Sequence, residues 1–273
     1  MIKNKNELKS FYNTVTTTKA TKCYYNDRLD TYGRGCAYNC EYCYAKSQLE
    51  FRNRKDDSFK MWDSNNPAIA NIDRIKRKIK TLKPLSVVRM GGMTDCFQPK
   101  ELKHRVSLET IKALNEQKIH HIIVTKSDII GRPEYVEELS KYSHIQVSLS
   151  HTSDYVLSKF EKAPKFQSRI NTIETLYQNG LDVSLRLSPI IVNGFDFNTI
   201  NKTDVDKCLI EFLRYQPKME NGLKEFIDTN KYTIKANNYR HITLENKLKV
   251  LDMLKFKEIS VCDSVKEHYD YFP

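Results

Sequence analysis

The chain has 273 residues, enough for one large domain or two small ones, and its 40% hydrophobic content, with 16 Tyr and 12 Phe, can build a substantial core. Charged residues make up 29% and mean hydropathy is −0.61; no apolar run approaches the roughly 20 residues that cross a bilayer, and the N-terminus MIKNKNELKSFYN has no apolar stretch behind its charges, so neither a membrane span nor a secretory signal is expected, and a cytosolic (cytoplasmic) protein is. A net charge of +11 and a pI near 9.1 admit a nucleic-acid partner, although the cations fall in scattered clusters (KNKNELK, FRNRK, RIKRKIK, KELKHR) that a composition bias toward Lys and Asn would also give.

Residues 1–30 read as an N-terminal extension, with a strand expected just before Cys36. Then short apolar runs alternate with longer amphipathic stretches. The runs are Leu85–Met90, His120–Thr125, Ile145–Ser150 and Leu181–Leu187, rich in β-branched residues and short, as buried parallel strands are. Helices are expected over Lys103–Gln117, Pro133–Lys141, Ser153–Phe160 and Ser168–Asn179, the last ending at Gly180, where a C-terminal glycine belongs. Beyond Pro189 the pattern weakens: Cys208–Arg214 fits a strand or a helix, Leu244–Leu254 a helix, and Glu258–Asp263 a late strand. This order predicts an α/β fold with a parallel sheet and right-handed crossovers. With roughly six strands it predicts an open partial barrel rather than a closed eight-fold one.

Ligands of such sheets bind at the C-terminal strand ends. Here these are Gly91-Gly92-Met93-Thr94-Asp95, Thr125-Lys126-Ser127, Ser148 and Ser150 with His151, and Ser188-Pro189. Four polar ends in succession favour a polar ligand, though structural loops have a similar composition.

Of seven cysteines (Cys23, Cys36, Cys40, Cys43, Cys96, Cys208 and Cys262), three crowd into one segment, GCAYNCEYCY. The odd count argues against a disulfide framework. A closed zinc site needs four ligands, which here would require Cys23 or Cys96. Three thiolates on a four-iron cubane leave one iron without a protein ligand, open to the amino and carboxylate groups of S-adenosylmethionine.

The pattern Cys-x3-Cys-x-aromatic-Cys, with Tyr42 as the aromatic, resembles the signature of the radical S-adenosylmethionine (radical SAM) superfamily. The longer string YGRGCAYNCEYCYA from Tyr32 to Ala45, together with TDCFQPKE from Thr94 and VTKSD from Val124, is similar to the branch containing spore photoproduct lyase and DNA repair photolyase-like proteins; the likeness spans about residues 30–195. It implies a partial (β/α)6 radical-SAM barrel over residues 31–215, with an irregular C-terminal extension over 216–273 capping or completing it. It implies a [4Fe–4S] cluster on Cys36, Cys40 and Cys43, S-adenosylmethionine as cofactor, and an electron donor such as flavodoxin or ferredoxin. The implied reaction is reductive cleavage to a 5′-deoxyadenosyl radical and hydrogen abstraction from a substrate. A nucleic-acid base or nucleotide is the first substrate class, a peptide or small metabolite the second. A non-catalytic zinc or iron–sulfur module is the alternative of a different kind.

The resemblance also assigns cofactor contacts. Gly91 and Gly92 would offer backbone carbonyls to the methionine amine, Thr94 and Asp95 polar contacts, and Lys126 a charge to the carboxylate. Ser148 would reach the ribose or carboxylate, Arg186 the cofactor, and Tyr42 the adenine. Each has a plainer reading as a tight turn, a solvated lysine or an ordinary barrel residue. The lyase places its hydrogen-donating cysteine just before the Thr/Ser-Asp pair, where this chain has Gly92 and Met93; Cys96 follows Asp95 instead. Cys96 is thus a candidate hydrogen donor by position, with a small buried space-filler as its rival. Cys262 belongs to a strand or to the barrel mouth.

Overall fold

The structure is a computed structural model that describes residues 8, 10–13, 25, 27–53, 62–216, 219 and 223–272. Cys23 lies outside the described residues. In chain order the elements are β1 (Phe11–Asn13), β2 (Asp27–Leu29), β3 (Tyr32–Gly33), α1 (Tyr44–Asn53), β4 (Ala68–Ile69), α2 (Ile72–Ile79), β5 (Val87–Met90), α3 (Glu101–His104), α4 (Val106–Glu116), β6 (His120–Thr125), α5 (Pro133–Val136) and β7 (Ser143–Leu149). There follow α6 (Asp154–Phe160), α7 (Phe166–Gln178), β8 (Asp182–Ile190), α8 (Phe197–Ile200), β9 (Lys207–Phe212), β10 (Ile234–Ala236), β11 (Tyr239–His241), α9 (Leu244–Asp252) and β12 (Glu258–Cys262).

The main sheet has eight strands in the order β1-β2-β5-β6-β7-β8-β9-β12. Strands β2 and β5, β5 and β6, β8 and β9, and β9 and β12 pair in parallel, whereas β1 runs antiparallel to β2. The order ends on two different strands and does not close, so the expected partial α/β barrel is the observed class, with more strands than the six expected. The surplus comes from β1 and from Cys208–Arg214, which resolves as strand: Cys208, Ile210 and Phe212 are buried and alternate with half-buried neighbours, the period of two that a strand requires. Among the described residues no helix is long and apolar enough to cross a membrane.

Two expected helices differ from the sequence pattern. The stretch 103–117 is broken at Arg105, whose backbone is left-handed (φ 51°), into α3 and α4. The stretch 133–141 is helical only over α5 before the chain turns toward β7. The terminus at Gly180 is as expected: φ is +71°, and Gly180 and Leu181 donate backward to the Tyr177 and Leu176 carbonyls, the Schellman pattern.

Among the described residues the chain packs as two units, one of residues 10–13, 27–39, 43–53 and 62–145, the other of residues 40–42, 146–216 and 223–272. In the first, α2 packs on α4, and its Ile75 and Ile79, one turn apart, are each 1% exposed; such burial stabilises by about 1.5–3 kcal/mol per side chain. The second is centred on Val147, Leu149, Leu185, Leu187 and Ile210, covered by Ile173 and Leu176 of α7.

Candidate active site

The three clustered cysteines lie on the connection from β3 to α1, Cys36 buried, Cys40 and Cys43 half-buried. Asn39 turns the loop with a left-handed backbone (φ 39°), a conformation Asn tolerates better than most residues. Within the first unit the loop is fastened to the segment after β5. Ala37 N donates to Gln98 Oε1 (3.0 Å), and the Tyr38 hydroxyl donates to the Phe97 carbonyl (3.0 Å). Burial, and then the nearby Asp95 carboxylate, push the Cys36 thiol up to about 12; burial also raises Cys43. Ligation by a metal centre would replace these protons, so uptake of such a centre releases protons and strengthens as pH rises.

The strand ends of the first unit are held by two carboxylates. Asp30, 1% exposed, accepts from Met93 N (3.0 Å) and Thr94 N (3.1 Å), and burial raises it from 3.8 to about 6. Asp95 accepts from Phe97 N (2.8 Å), Thr125 Oγ1 (2.8 Å) and Lys126 N (2.7 Å), joining the end of β5 to the end of β6. Thr94 is buried and its hydroxyl donates to the Tyr32 carbonyl. Gly91 has φ +83°, and a Cβ there would come within 2.4 Å of the Val124 carbonyl oxygen, so only glycine fits. The Gly92 carbonyl accepts from the Tyr44 hydroxyl. The structure therefore brings Gly91, Gly92, Thr94, Asp95 and the Lys126 backbone together, and the carboxylates it places among them hold the loops. Cys96 is fully buried, its Sγ 3.8 Å from the Leu29 carbonyl of β2.

In the second unit the Tyr42 hydroxyl donates to Glu161 and shares a 2.7 Å hydrogen bond with Ser150 Oγ. Ser148 is 4% exposed, and its carbonyl accepts from Arg169 Nη1 (3.0 Å). Arg186, 7% exposed, is braced across three strands, donating to Gln146 Oε1 (2.7 Å) and Glu211 Oε2 (3.0 Å). Glu211 also accepts from Ser188 (2.7 Å) and Arg214 (2.8 Å), and Cys262 of β12 lies opposite it in register. His151 accepts from Ser153 N at Nδ1 (2.9 Å), so its Nε2 carries the proton and donates to the Asn193 carbonyl (3.0 Å).

Sequence reasoning missed four charged residues that organise these ends: Asp30, Glu101, Glu161 and Arg169. Glu101 is fully buried and accepts from Tyr32 and Tyr135 hydroxyls and from Ser107 and Leu108 N–H, capping α4. Its position as the last residue of TDCFQPKE was the available signal.

The radical SAM superfamily model matches residues 31–204, well over half of the chain. The chain belongs to the radical SAM superfamily. An uncharacterized protein of Methanocaldococcus jannaschii is 26% identical over 246 residues, covering 83% of this chain and 85% of that protein. Among solved structures, a spore photoproduct lyase variant with bound AdoMet and dinucleoside spore photoproduct superposes with a TM-score of 0.61 at 14% identity, covering 91% of this chain and 80% of the other. Methylornithine synthase gives 0.51 at 15% identity, covering 85% and 63%. At these identities the structural likeness shows the fold.

The residues present fit the superfamily's cluster. Three cysteines share one loop that contains no fourth cysteine or histidine. Among the described residues no three His, Cys, Asp or Glu side chains are arranged to hold a single ion. In a cubane each thiolate binds its own iron, so its cysteines do not converge as ligands of one ion do.

Proposed function

We propose that this radical SAM protein holds a [4Fe–4S] cluster through Cys36, Cys40 and Cys43, binds S-adenosylmethionine, and abstracts hydrogen from a nucleic-acid base or nucleotide. The observation that carries the reading is the cysteine loop: three cysteines within eight residues, fastened by Ala37 and Tyr38 to the segment that follows Asp95. The chemistry supplied by a bound cluster and S-adenosylmethionine is one-electron cleavage of the sulfonium to a 5′-deoxyadenosyl radical, with the electron drawn from a flavodoxin or ferredoxin.

The chain's own residues bind and orient. Gly91, without a side chain, lets the methionine amine approach the backbone, and the Lys126 ammonium neutralises the methionine carboxylate. Asp95 holds the Lys126 backbone so that its side chain starts from a fixed point. Ser148 serves the ribose or carboxylate, Tyr42 the adenine, and Arg186, braced by Gln146 and Glu211, presents a fixed positive charge to the bound cofactor. The substrate class rests on the net charge of +11 and on the lyase neighbour, whose structure holds a dinucleoside.

Anaerobic reconstitution tests the reading. The protein should take up about four irons per chain and release 5′-deoxyadenosine on reduction, and alanine at Cys36, Cys40 or Cys43 should abolish both. A full complement of iron in any one variant removes that residue from the ligand set. Nucleic-acid binding should weaken steeply with salt as counterion release is suppressed; no affinity for DNA or RNA at low salt would move the substrate class to a peptide or small metabolite.

A further inference from the structure

Between Cys40 and Cys43 the chain is fastened repeatedly to the end of one helix. Glu41 N donates to the Phe160 carbonyl (2.9 Å), the Tyr42 and Phe160 rings lie 5.7 Å apart, and the Tyr42 hydroxyl donates to Glu161. Phe160 closes α6 and Glu161 is the next residue. Glu161 is ion-paired with Arg169, and both side chains are fully removed from solvent. Arg169 also donates from Nε to the Pro164 carbonyl (2.7 Å) and from Nη1 to the Ser148 carbonyl (3.0 Å).

Stability alone is a poor reason for such a pair. Replacing a buried ion pair by apolar residues of similar volume is often neutral or stabilising. An apolar pair would lose two things here: the acceptor for Tyr42, and a pair of opposed charges beside the cysteine loop. Tyr42, which donates to Glu161, is two residues from Cys40 and adjacent to Cys43.

We propose that Glu161 and Arg169 are positioning residues for the cluster loop: through Tyr42 they fix the turn between its second and third cysteines, and their opposed charges set the electrostatic surroundings of a cluster held there. This rests on the reading that Cys36, Cys40 and Cys43 bind a [4Fe–4S] cluster. Reduction adds negative charge to a cluster, so a nearby carboxylate disfavours it and a nearby guanidinium favours it. Because both groups are buried, salt screens them little.

The test is the reduction potential of the reconstituted full-length protein, followed by the reduced cluster's EPR signal without S-adenosylmethionine. E161Q, which keeps shape and an acceptor oxygen, should shift the midpoint to more positive values. R169Q should shift it to more negative values, and the double variant E161Q/R169Q should return it close to wild type. Shifts of the same sign in both single variants, or none, would overturn the proposal, since a packing role carries no sign.

Should either single variant fail to fold or to hold iron, Y42F decides, because it leaves the ion pair intact. In its metal-free form, amide exchange at Glu41, Tyr42 and Cys43 should quicken about tenfold, the weight of one hydrogen bond, with α7 unchanged; unaltered exchange at those amides would refute the clamp. A wild-type protein that never takes up about four irons contradicts the cluster reading itself, and the Y42F exchange still reports on the clamp separately.

Discussion

The strand ends of the two units are built on opposite principles. In the first, carboxylates are satisfied mainly by backbone amides of nearby turns: Asp30 by Met93 and Thr94, Asp95 by Phe97 and Lys126. In the second, charged side chains satisfy one another across elements: Glu161 with Arg169, and Glu211 with Arg186 and Arg214. A carboxylate bound by amides makes a loop rigid and leaves one buried charge whose protonation responds to pH. A carboxylate bound by a guanidinium is damaged most by losing its partner.

The largest expected effect follows from that difference. R169L strands the Glu161 carboxylate in the interior, and breaking a buried pair in this way costs about 3–5 kcal/mol, read as a lower midpoint in denaturant unfolding. A loss below about 1 kcal/mol, the range of exposed pairs, would show that the pair is solvated in solution. The second effect belongs to the first unit and depends on pH. Burial raises the Asp30 carboxyl from 3.8 to about 6, so its contribution is full below about pH 4 and is lost as pH rises through about 6, by about 3 kcal/mol in all. D30N keeps an acceptor oxygen and cannot ionise. Its stability should therefore vary less than that of wild type across this window, and parallel profiles would show that Asp30 does not titrate there. The smallest effect is at Cys96. C96A should cost about 1 kcal/mol and leave the reaction products unchanged; a product lost while 5′-deoxyadenosine still forms would instead make Cys96 the hydrogen donor.

The same contrast explains what the sequence made legible. The cysteine loop, the Gly91-Gly92 turn and the strands β5 to β8 are local features, set by spacing, glycine and β-branched runs, and they lie at or within a few residues of where the pattern put them. Helix α2 was hidden because RIKRKIK reads as a cluster of cations, whereas Ile75 and Ile79, four residues apart, form its buried stripe. Cys208–Arg214 was ambiguous because seven residues hold too few repeats to separate a period of 2 from one of 3.6. Glu161 and Arg169 were invisible for a different reason. Arg169 sits in an amphipathic stretch and Glu161 just past the end of one, where a charge normally faces water, and Tyr42, the residue that gives the pair its purpose, is 119 positions from Glu161.

The claim that Cys36, Cys40 and Cys43 hold a cluster with one iron open to S-adenosylmethionine is tested most directly by pulsed EPR of the reduced, reconstituted protein. S-adenosylmethionine labelled with nitrogen-15 at the methionine amine is added to the sample. A nitrogen-15 hyperfine coupling to the reduced cluster, absent without the labelled cofactor, is expected. Identical spectra with and without it, at a concentration shown to saturate binding, would contradict the account.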